Sequence, residues 1–360
     1  MKRVAAVLAV ALVALSLAAC GGGKDGDTYV LEVRGTAVVT APGPARHLGS
    51  GRHHLEVGQT VTITRGSAVL GLPGDTSLEL RSGRRDSTVK LGARPTLLDG
   101  DALAVAGSGD DLALSAGDAT FELHDGAARV RRSAGVALAV YEGRADVAAL
   151  GRTAEPVEAL HQVTVTDSGG LPQQAVPLVY DRARPDRWDT RYLNDAIDLG
   201  GQLERRVKVL NARPAPTTWD ATYLQGIVPA LQGAKGFEAD LVTAGRSVGE
   251  TIVGASIALG GRGDLGARWK DAFRFRDEGA DWGLVALDQR ARRASVLRVV
   301  DGVLDRVVAT ISPVAVGRSE GSGTTSTTGR PSTTTTQAPR RGTTTPVSYT
   351  HLTLPTNREV

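Results

Sequence analysis

The sequence predicts a multidomain chain: an all-β unit, built as an antiparallel sandwich or solenoid, then a mainly α unit, then a disordered tail rich in Thr, Ser and Pro. Three observations carry this. From Tyr29 to about Thr166 apolar and polar residues alternate, with Gly, Asp and Ser interrupting at short intervals. That is the pattern of half-buried strands, not of alternating strands and helices. Around Pro177 the apolar spacing lengthens to that of an amphipathic helix. From Pro313 to Pro346 almost nothing is available to bury.

The chain opens on Lys2 and Arg3, continues with an Ala/Val/Leu run from Val4 to Leu17, and reaches Leu17-Ala18-Ala19-Cys20. A positive start, a short apolar core and small residues before a cysteine predict a lipoprotein signal peptide over 1–19. Cleavage before Cys20 and diacylation of its thiol are expected. The run is short for a membrane-spanning helix. Cys20 is the only cysteine, so no disulfide is expected within the mature chain. Two or three acyl chains hold firmly where one holds marginally. The expected partner of Cys20 is therefore the outer face of a cell membrane, with residues 20–27, which include Gly21-Gly22-Gly23, as a flexible tether.

Composition narrows the field further. A chain of 360 residues ordinarily holds two domains, and 41% hydrophobic residues suffice for cores of normal size. Aromatics are only 4%, so Val, Leu and Ala must fill those cores. The formal charge of +3 comes from the two ends. Lys2 and Arg3 leave with the signal, and beyond residue 310 five Arg face only Glu320 and Glu359, which leaves the intervening chain slightly acidic. No basic stripe for phosphates exists, so nucleic acid is set aside as a partner.

Strands are expected at Tyr29-Leu31-Val33, Leu55-Val57, Val61-Ile63, Leu78-Leu80 and Val89-Leu91. Leu103-Val105, Leu112-Leu114, Phe121-Leu123, Val136-Leu138-Val140 and Val163-Val165 continue the series. Pro73-Gly74-Asp75, Asp99-Gly100-Asp101 and Asp125-Gly126 have the chemistry of hairpin turns. The β unit is placed at 28–170 and a linker at 171–185.

The α unit is placed at 186–311. Tyr192, Leu193, Ala196, Ile197, Leu203, Val207 and Leu210 recur at helical spacing, with Asp189 expected to cap the first turn and Gly200-Gly201 weakening the middle. The opening Trp188-Asp189-x-x-Tyr192-Leu193 returns as Trp219-Asp220-x-x-Tyr223-Leu224, which reads as a duplicated helical hairpin. These aromatic residues are expected to pack a core rather than hold a ligand. Phe237, Leu241, Val248, Ile252 and Ile257 predict a further helix, loosened by Gly245, Gly249 and Gly254. Trp269, Ala272 and Phe273 predict a short one, and Trp282 to Ile311 a long amphipathic helix or a pair.

Residues 312–346 read as a disordered linker or wall spacer that can carry O-linked sugars. Residues 347–360 are read as a sequencing artefact. Val347 to Thr356 back-translates to GTC TCT TAT ACA CAT CTG ACG CTG CCG ACG, which looks like a transposon-end adapter, and its composition is unlike the linker before it.

No catalytic, cofactor or metal site is expected. No serine-hydrolase elbow is expected, although Gly245-Arg246-Ser247-Val248-Gly249 spells Gly-x-Ser-x-Gly. His53-His54 is read as a turn before a strand, with side chains on opposite faces. His47, His124 and His161 stand apart in sequence, the last two at expected strand ends, and no His-x-x-x-His or cysteine pair exists. Asp25-Gly26-Asp27, Asp99-Gly100-Asp101 and Asp110-Asp111 lack the full calcium-loop pattern and read as solvated turns. Gly260-Gly261-Arg262-Gly263 lacks the Lys-Ser/Thr ending of a phosphate loop, and Arg262-Gly263-Asp264 reads as an ordinary loop.

The β unit resembles a FecR-type extracytoplasmic domain over about 28–170. Gly58-Gln59-Thr60-Val61, Gly66-Ser67-Ala68-Val69-Leu70 and Ser77-Leu78-Glu79-Leu80-Arg81 carry the first block of likeness. Ala119 to Leu123, Gly126 to Val130, Val140-Tyr141-Glu142-Gly143-Arg144-Ala145 and Leu160 to Val165 carry the second. The family passes signals from an outer-membrane transporter to a cytoplasmic sigma-factor regulator. With a lipid anchor expected in place of the family's membrane helix, the resemblance implies an extracytoplasmic interaction or sensing module with a protein or glycan partner, in an envelope of actinobacterial type. Two alternatives are weighed beside it. One is an envelope carbohydrate-active enzyme using acids such as Asp110 or Glu142. The other is a solute-binding lipoprotein of an importer, which the order of strands before helices disfavours.

Overall fold

Strand length is the first departure from expectation. The computed structural model describes residues 28–40, 44–149, 154–166, 170, 174–213, 219–242 and 245–311. Cys20, Asp25-Gly26-Asp27 and everything beyond 311 lie outside these. The strands are β1 (Thr28–Thr40), β2 (Arg46–Leu48), β3 (Gly51–Glu56), β4 (Thr60–Leu72), β5 (Thr76–Arg81) and β6 (Ser87–Lys90). They continue as β7 (Thr96–Ala116), β8 (Ala119–Arg132), β9 (Gly135–Ala149), β10 (Glu155–Glu158), β11 (His161–Thr166) and β12 (Val176–Pro177). Several short expected strands are thus joined into long ones.

The reason lies in the Asp-Gly pairs. Pro73-Gly74-Asp75 is a hairpin between β4 and β5, as its chemistry predicts. Asp99-Gly100-Asp101 and Asp125-Gly126 are not turns: they lie inside β7 and β8, with Gly100 at φ +88° and Gly126 at φ +118°. Glycine at positive φ bends a strand here without ending it. His53-His54 is also within a strand, β3, and His124 lies inside β8, not at its end.

All pairings are antiparallel, in one twelve-stranded sheet of order β12-β11-β9-β8-β7-β5-β4-β1-β2, with β3 beside β1, β6 between β4 and β7, and β10 beside β9. Bulges keep the right face inward along the bent strands. In β4, Val61 and Ile63 are buried before the bend and Ala68 and Leu70 after it, and the register shifts between Thr36 and Ala37 of β1 where the parity changes. Without that extra residue every later side chain would turn over. Leu31, Ile63, Leu70, Leu78, Leu80, Leu97 and Leu114 join a single apolar core. Each such buried leucine contributes roughly 2 kcal/mol.

The helices are α1 (Arg187–Asn211), α2 (Ala221–Ile227), α3 (Val248–Gly260), α4 (Leu265–Asp277), α5 (Trp282–Asp288) and α6 (Arg293–Ile311). Among the described residues none is long and apolar enough to cross a membrane. Outward-facing Leu103 and Tyr141 of the sheet, with Leu160 and Leu178, share a second core with the helices. Strands and helices therefore belong to one compact unit, which ends at Ser312. The segment expected as a linker is bound into this junction: the Leu178 amide donates to the Leu160 carbonyl, and Tyr180 and Arg182 both reach Asp281.

Glycines tighten the helical layer instead of loosening it. Helix α1 runs unbroken through Gly200-Gly201. A Cβ on Gly283 of α5 would stand 1.9 Å from the Ala196 carbonyl oxygen of α1, and one on Gly200 would stand 3.2 Å from the Gly283 nitrogen. On α3, a Cβ at Gly249 would meet Val207 O at 2.7 Å, and one at Gly254 would meet the Phe273 ring at 2.2 Å. Hydrogen in place of methyl lets the backbones approach. Gly283→Ala is expected to destabilise the fold by about 3 kcal/mol. Gly226→Ala, with open space around it in α2, is expected to stabilise by about 0.5 kcal/mol. Urea unfolding of the two variants checks both signs.

Candidate functional site

The sheet presents a charged row on its outer face. Arg81 of β5 lies opposite Asp101 of β7, Asp101 lies opposite Arg131 of β8, and Arg129 is two residues from Arg131 on the same face. The Asp101 carboxylate accepts from Arg131 Nε at 2.8 Å and Arg129 Nη2 at 3.1 Å, with Arg81 Nη2 at 3.5 Å. Helix α1 meets the sheet over this row.

The meeting point is Asp186. Its Oδ1 accepts from the amides of Trp188 and Asp189 at 2.7 and 3.1 Å, capping α1. Its Oδ2 accepts from Arg81 Nη2 at 2.7 Å and pairs with Arg129. One carboxylate thus satisfies helix amides and two sheet guanidiniums at once. The cap is not Asp189, as the sequence spacing had implied, because the helix begins at Arg187, ahead of the motif.

The motif residues are divided between two unlike settings. In the first copy Trp188 is buried with Arg81 stacked 3.9 Å above its ring centroid, and Leu193 is buried beside it in the shared core. Tyr192 stacks on Tyr141 of β9 at 5.0 Å and 9°. The Tyr141 hydroxyl donates to Asp189 Oδ1 at 2.7 Å. In the second copy Asp220 itself caps α2 by accepting from the Tyr223 amide, Leu224 is buried, and Trp219 packs on Tyr223 at 5.3 Å. Helix α1 has 25 residues and α2 only 7, so the repeated letters form no repeated hairpin. A cap three residues earlier in the first copy changes what each aspartate does.

Charge and burial work against each other here. Burial would raise Asp186, but the Arg81 hydrogen bond and the Arg129 charge outweigh it and hold the carboxyl below its ordinary value. Asp101 follows the same rule: burial would raise it, and Arg129 and Arg131 bring it down. Asp189 goes the other way, because burial raises it, the Tyr141 hydrogen bond offsets only part, and the nearby Asp186 charge adds to the rise. Burial first, then Asp189, pushes the Tyr141 hydroxyl well up.

A cavity of about 70 Å³ lies in this junction, lined by Arg129, Arg131, Tyr141, Gln162, Tyr180 and Asp189 among others. Ligand pockets run to roughly 300–1,000 Å³. The cavity is too small for an organic ligand, and the arrangement holds sheet to helix. The remaining sequence candidates are dispersed. Asp110 Oδ2 accepts from the Asp75 amide at 2.8 Å at the β7 bend, Glu142 is exposed in β9, and Asp264 of Arg262-Gly263-Asp264 caps α4.

Sequence reasoning missed one cluster. It read Asp110-Asp111 as a turn and His124 as a half-solvated strand end, yet β7 and β8 bring Asp111, Glu122 and His124 together on one face. The available signal was the alternation Glu122-x-His124, which places both on the same side of a strand.

Removal of the Asp186 charge should cost heavily. Asp186→Ala is expected to lose about 3 kcal/mol of stability, since it leaves Arg81 and Arg129 facing a lost partner and uncaps α1. Asp186 and Asp101, held low in the fold, contribute stability that is complete above about pH 4 and is lost as pH falls through their depressed values. Asp189, held high, contributes the reverse: its stabilisation is present below about pH 4 and is lost as pH rises through its raised value. Asp189→Asn, which still accepts from Tyr141, is therefore expected to be at least as stable as the parent at pH 7. Urea titrations from pH 3 to 7 measure both effects.

No protein-family model matches the chain, and no curated protein matches it. Two solved structures from Parabacteroides distasonis ATCC 8503, both described as an anti-sigma factor, resemble part of it at 14% identity and a TM-score of 0.27. The overlap covers 32% of this chain and 60% and 59% of those chains. At that score the likeness assigns neither fold nor function.

Proposed function

We propose that this chain is a non-enzymatic extracytoplasmic lipoprotein, anchored through diacylated Cys20, that binds or senses a protein or glycan partner at the cell envelope. The observation that carries the reading is the segment Leu17-Ala18-Ala19-Cys20 after an apolar run, with the described fold starting at Thr28. Eight positions separate Cys20 from Thr28, so an anchor at Cys20 would hold the start of β1 within roughly 30 Å of the membrane surface. The FecR-like pattern supports interaction or sensing as the task. The non-enzymatic part of the reading is supported by the junction, where Arg81, Asp101, Arg129 and Asp186 are spent on one another, joining sheet to helices.

The anchor is open to direct test. Expressed with its own signal, the parent protein should partition into detergent and incorporate an alkyne-labelled fatty acid. Cys20→Ala should abolish labelling and release the protein into the medium. Retention of the variant in the membrane fraction would sink the lipid anchor.

A further inference from the structure

We infer that the outer face of β7, β8 and β9 carries a site for a divalent transition-metal ion of the zinc class, ligated by Asp111, Glu122 and His124. The inference is independent of the lipid anchor. Its basis is register. Asp111 lies directly opposite His124 across β7 and β8, and Glu122 is two residues before His124 on the same face. Across β8 and β9, Asp146 lies opposite Glu122 and Arg144 opposite His124. One ligand atom from each of Asp111, Glu122 and His124 lies within 4.8 Å of the other two.

The three side chains reach a common ion once Asp111 rotates. Donors about 2.1 Å from an ion and roughly 90–110° apart stand about 3.0–3.4 Å from each other. Asp111 Oδ1 lies 2.7 Å from His124 Nδ1, in the direction from which the ring would bind an ion, so the exposed Asp111 side chain must rotate aside and ligate from the flank. Glu122 is exposed and makes no hydrogen bond or ion pair with the described residues, so its side chain is free to swing in.

A second observation comes from behind the ring. Asp146 Oδ2 lies 3.2 Å from His124 Nε2, and Arg144 holds Asp146 Oδ1 through Nε and Nη2 at 3.2 and 2.9 Å. A carboxylate on the far nitrogen is the usual outer support of a metal-bound histidine: it fixes the tautomer and orients the ring. Charge points the same way. Glu122 and Asp146 are like charges directly opposite each other, an unfavourable cross-strand pair. With Asp111 they make three carboxylates against Arg144, and with the ring neutral, as a ligand must be, a dication balances the excess of two negative charges.

The donor set selects the ion. Calcium and magnesium take oxygen ligands, whereas one imidazole nitrogen with two carboxylates suits zinc, cobalt, nickel or manganese. On binding, the metal takes the place of the Nδ1 proton, which leaves to solvent, and Nε2 keeps its proton toward Asp146. Three protein ligands leave a position open to water.

The test uses the full chain purified in detergent, stripped with chelator and titrated with zinc chloride by calorimetry. One zinc per chain is expected. His124→Gln and Glu122→Gln should each weaken binding tenfold or more, and Asp146→Asn, a positioning change, by about 10- to 100-fold. Asp110→Asn, which lies beside the cluster but outside the ligand set, should leave affinity within twofold. Cobalt should give a visible absorption band in the parent that His124→Gln lacks. Urea unfolding of the stripped proteins separates lost ligation from lost fold. Zinc binding equal in the parent and His124→Gln, or calcium bound as tightly as zinc, would overturn the inference.

Discussion

The Asp186 carboxylate is the constraint on which the joined architecture depends. One oxygen caps a helix and the other pairs with two sheet guanidiniums that Asp101 also holds, so this carboxylate is satisfied only when sheet and helix are both in place. Without Asp186 the buried Arg129 would keep only Asp101 as a partner, and the desolvation of its guanidinium would be less fully offset. The same device recurs at Asp281, which caps α5 through the amides of Gly283 and Leu284 while accepting from Tyr180 and Arg182 of the preceding segment. In both places a helix start is also a docking point. Capping and tertiary assembly therefore become one cooperative event.

Close approach is the second constraint, and it is made by what residues lack. Small side chains at Ala196, Gly200 and Gly283 let α1 and α5 touch backbone to backbone, and Gly249 and Gly254 let α3 settle against α1 and α4. Helix α3 is accordingly buried on nearly every side, with Ile252, Val253, Ala255 and Ile257 closed off from solvent. A chain with so few aromatic residues gains packing density from proximity where larger rings would otherwise fill space.

Much of this was legible from the sequence. Alternation in segments such as Tyr29-Leu31-Val33 marks the core face of β1, and the lengthened period after Pro177 marks α1, because both patterns are set by backbone geometry alone. What could not be read was anything that depends on distant neighbours. Asp99-Gly100 and Asp125-Gly126 have turn chemistry, and only pairing with partner strands makes them bends inside β7 and β8. Gly200 looks like a helix breaker until α5 is laid against it. Asp186 was passed over for Asp189 because the apolar spacing does not show where the first turn begins. The Asp111, Glu122 and His124 cluster required knowing that β7 doubles back along β8 in one particular register.

The position of β1 has a mechanical meaning. It is flanked on both sides, paired with β2 and β3 along one edge and with β4 along the other. Force applied at Thr28 along the strand loads two hydrogen-bonded ladders together in shear, so they do not peel apart bond by bond. A pull from the N-terminal side is thus met by both ladders at once.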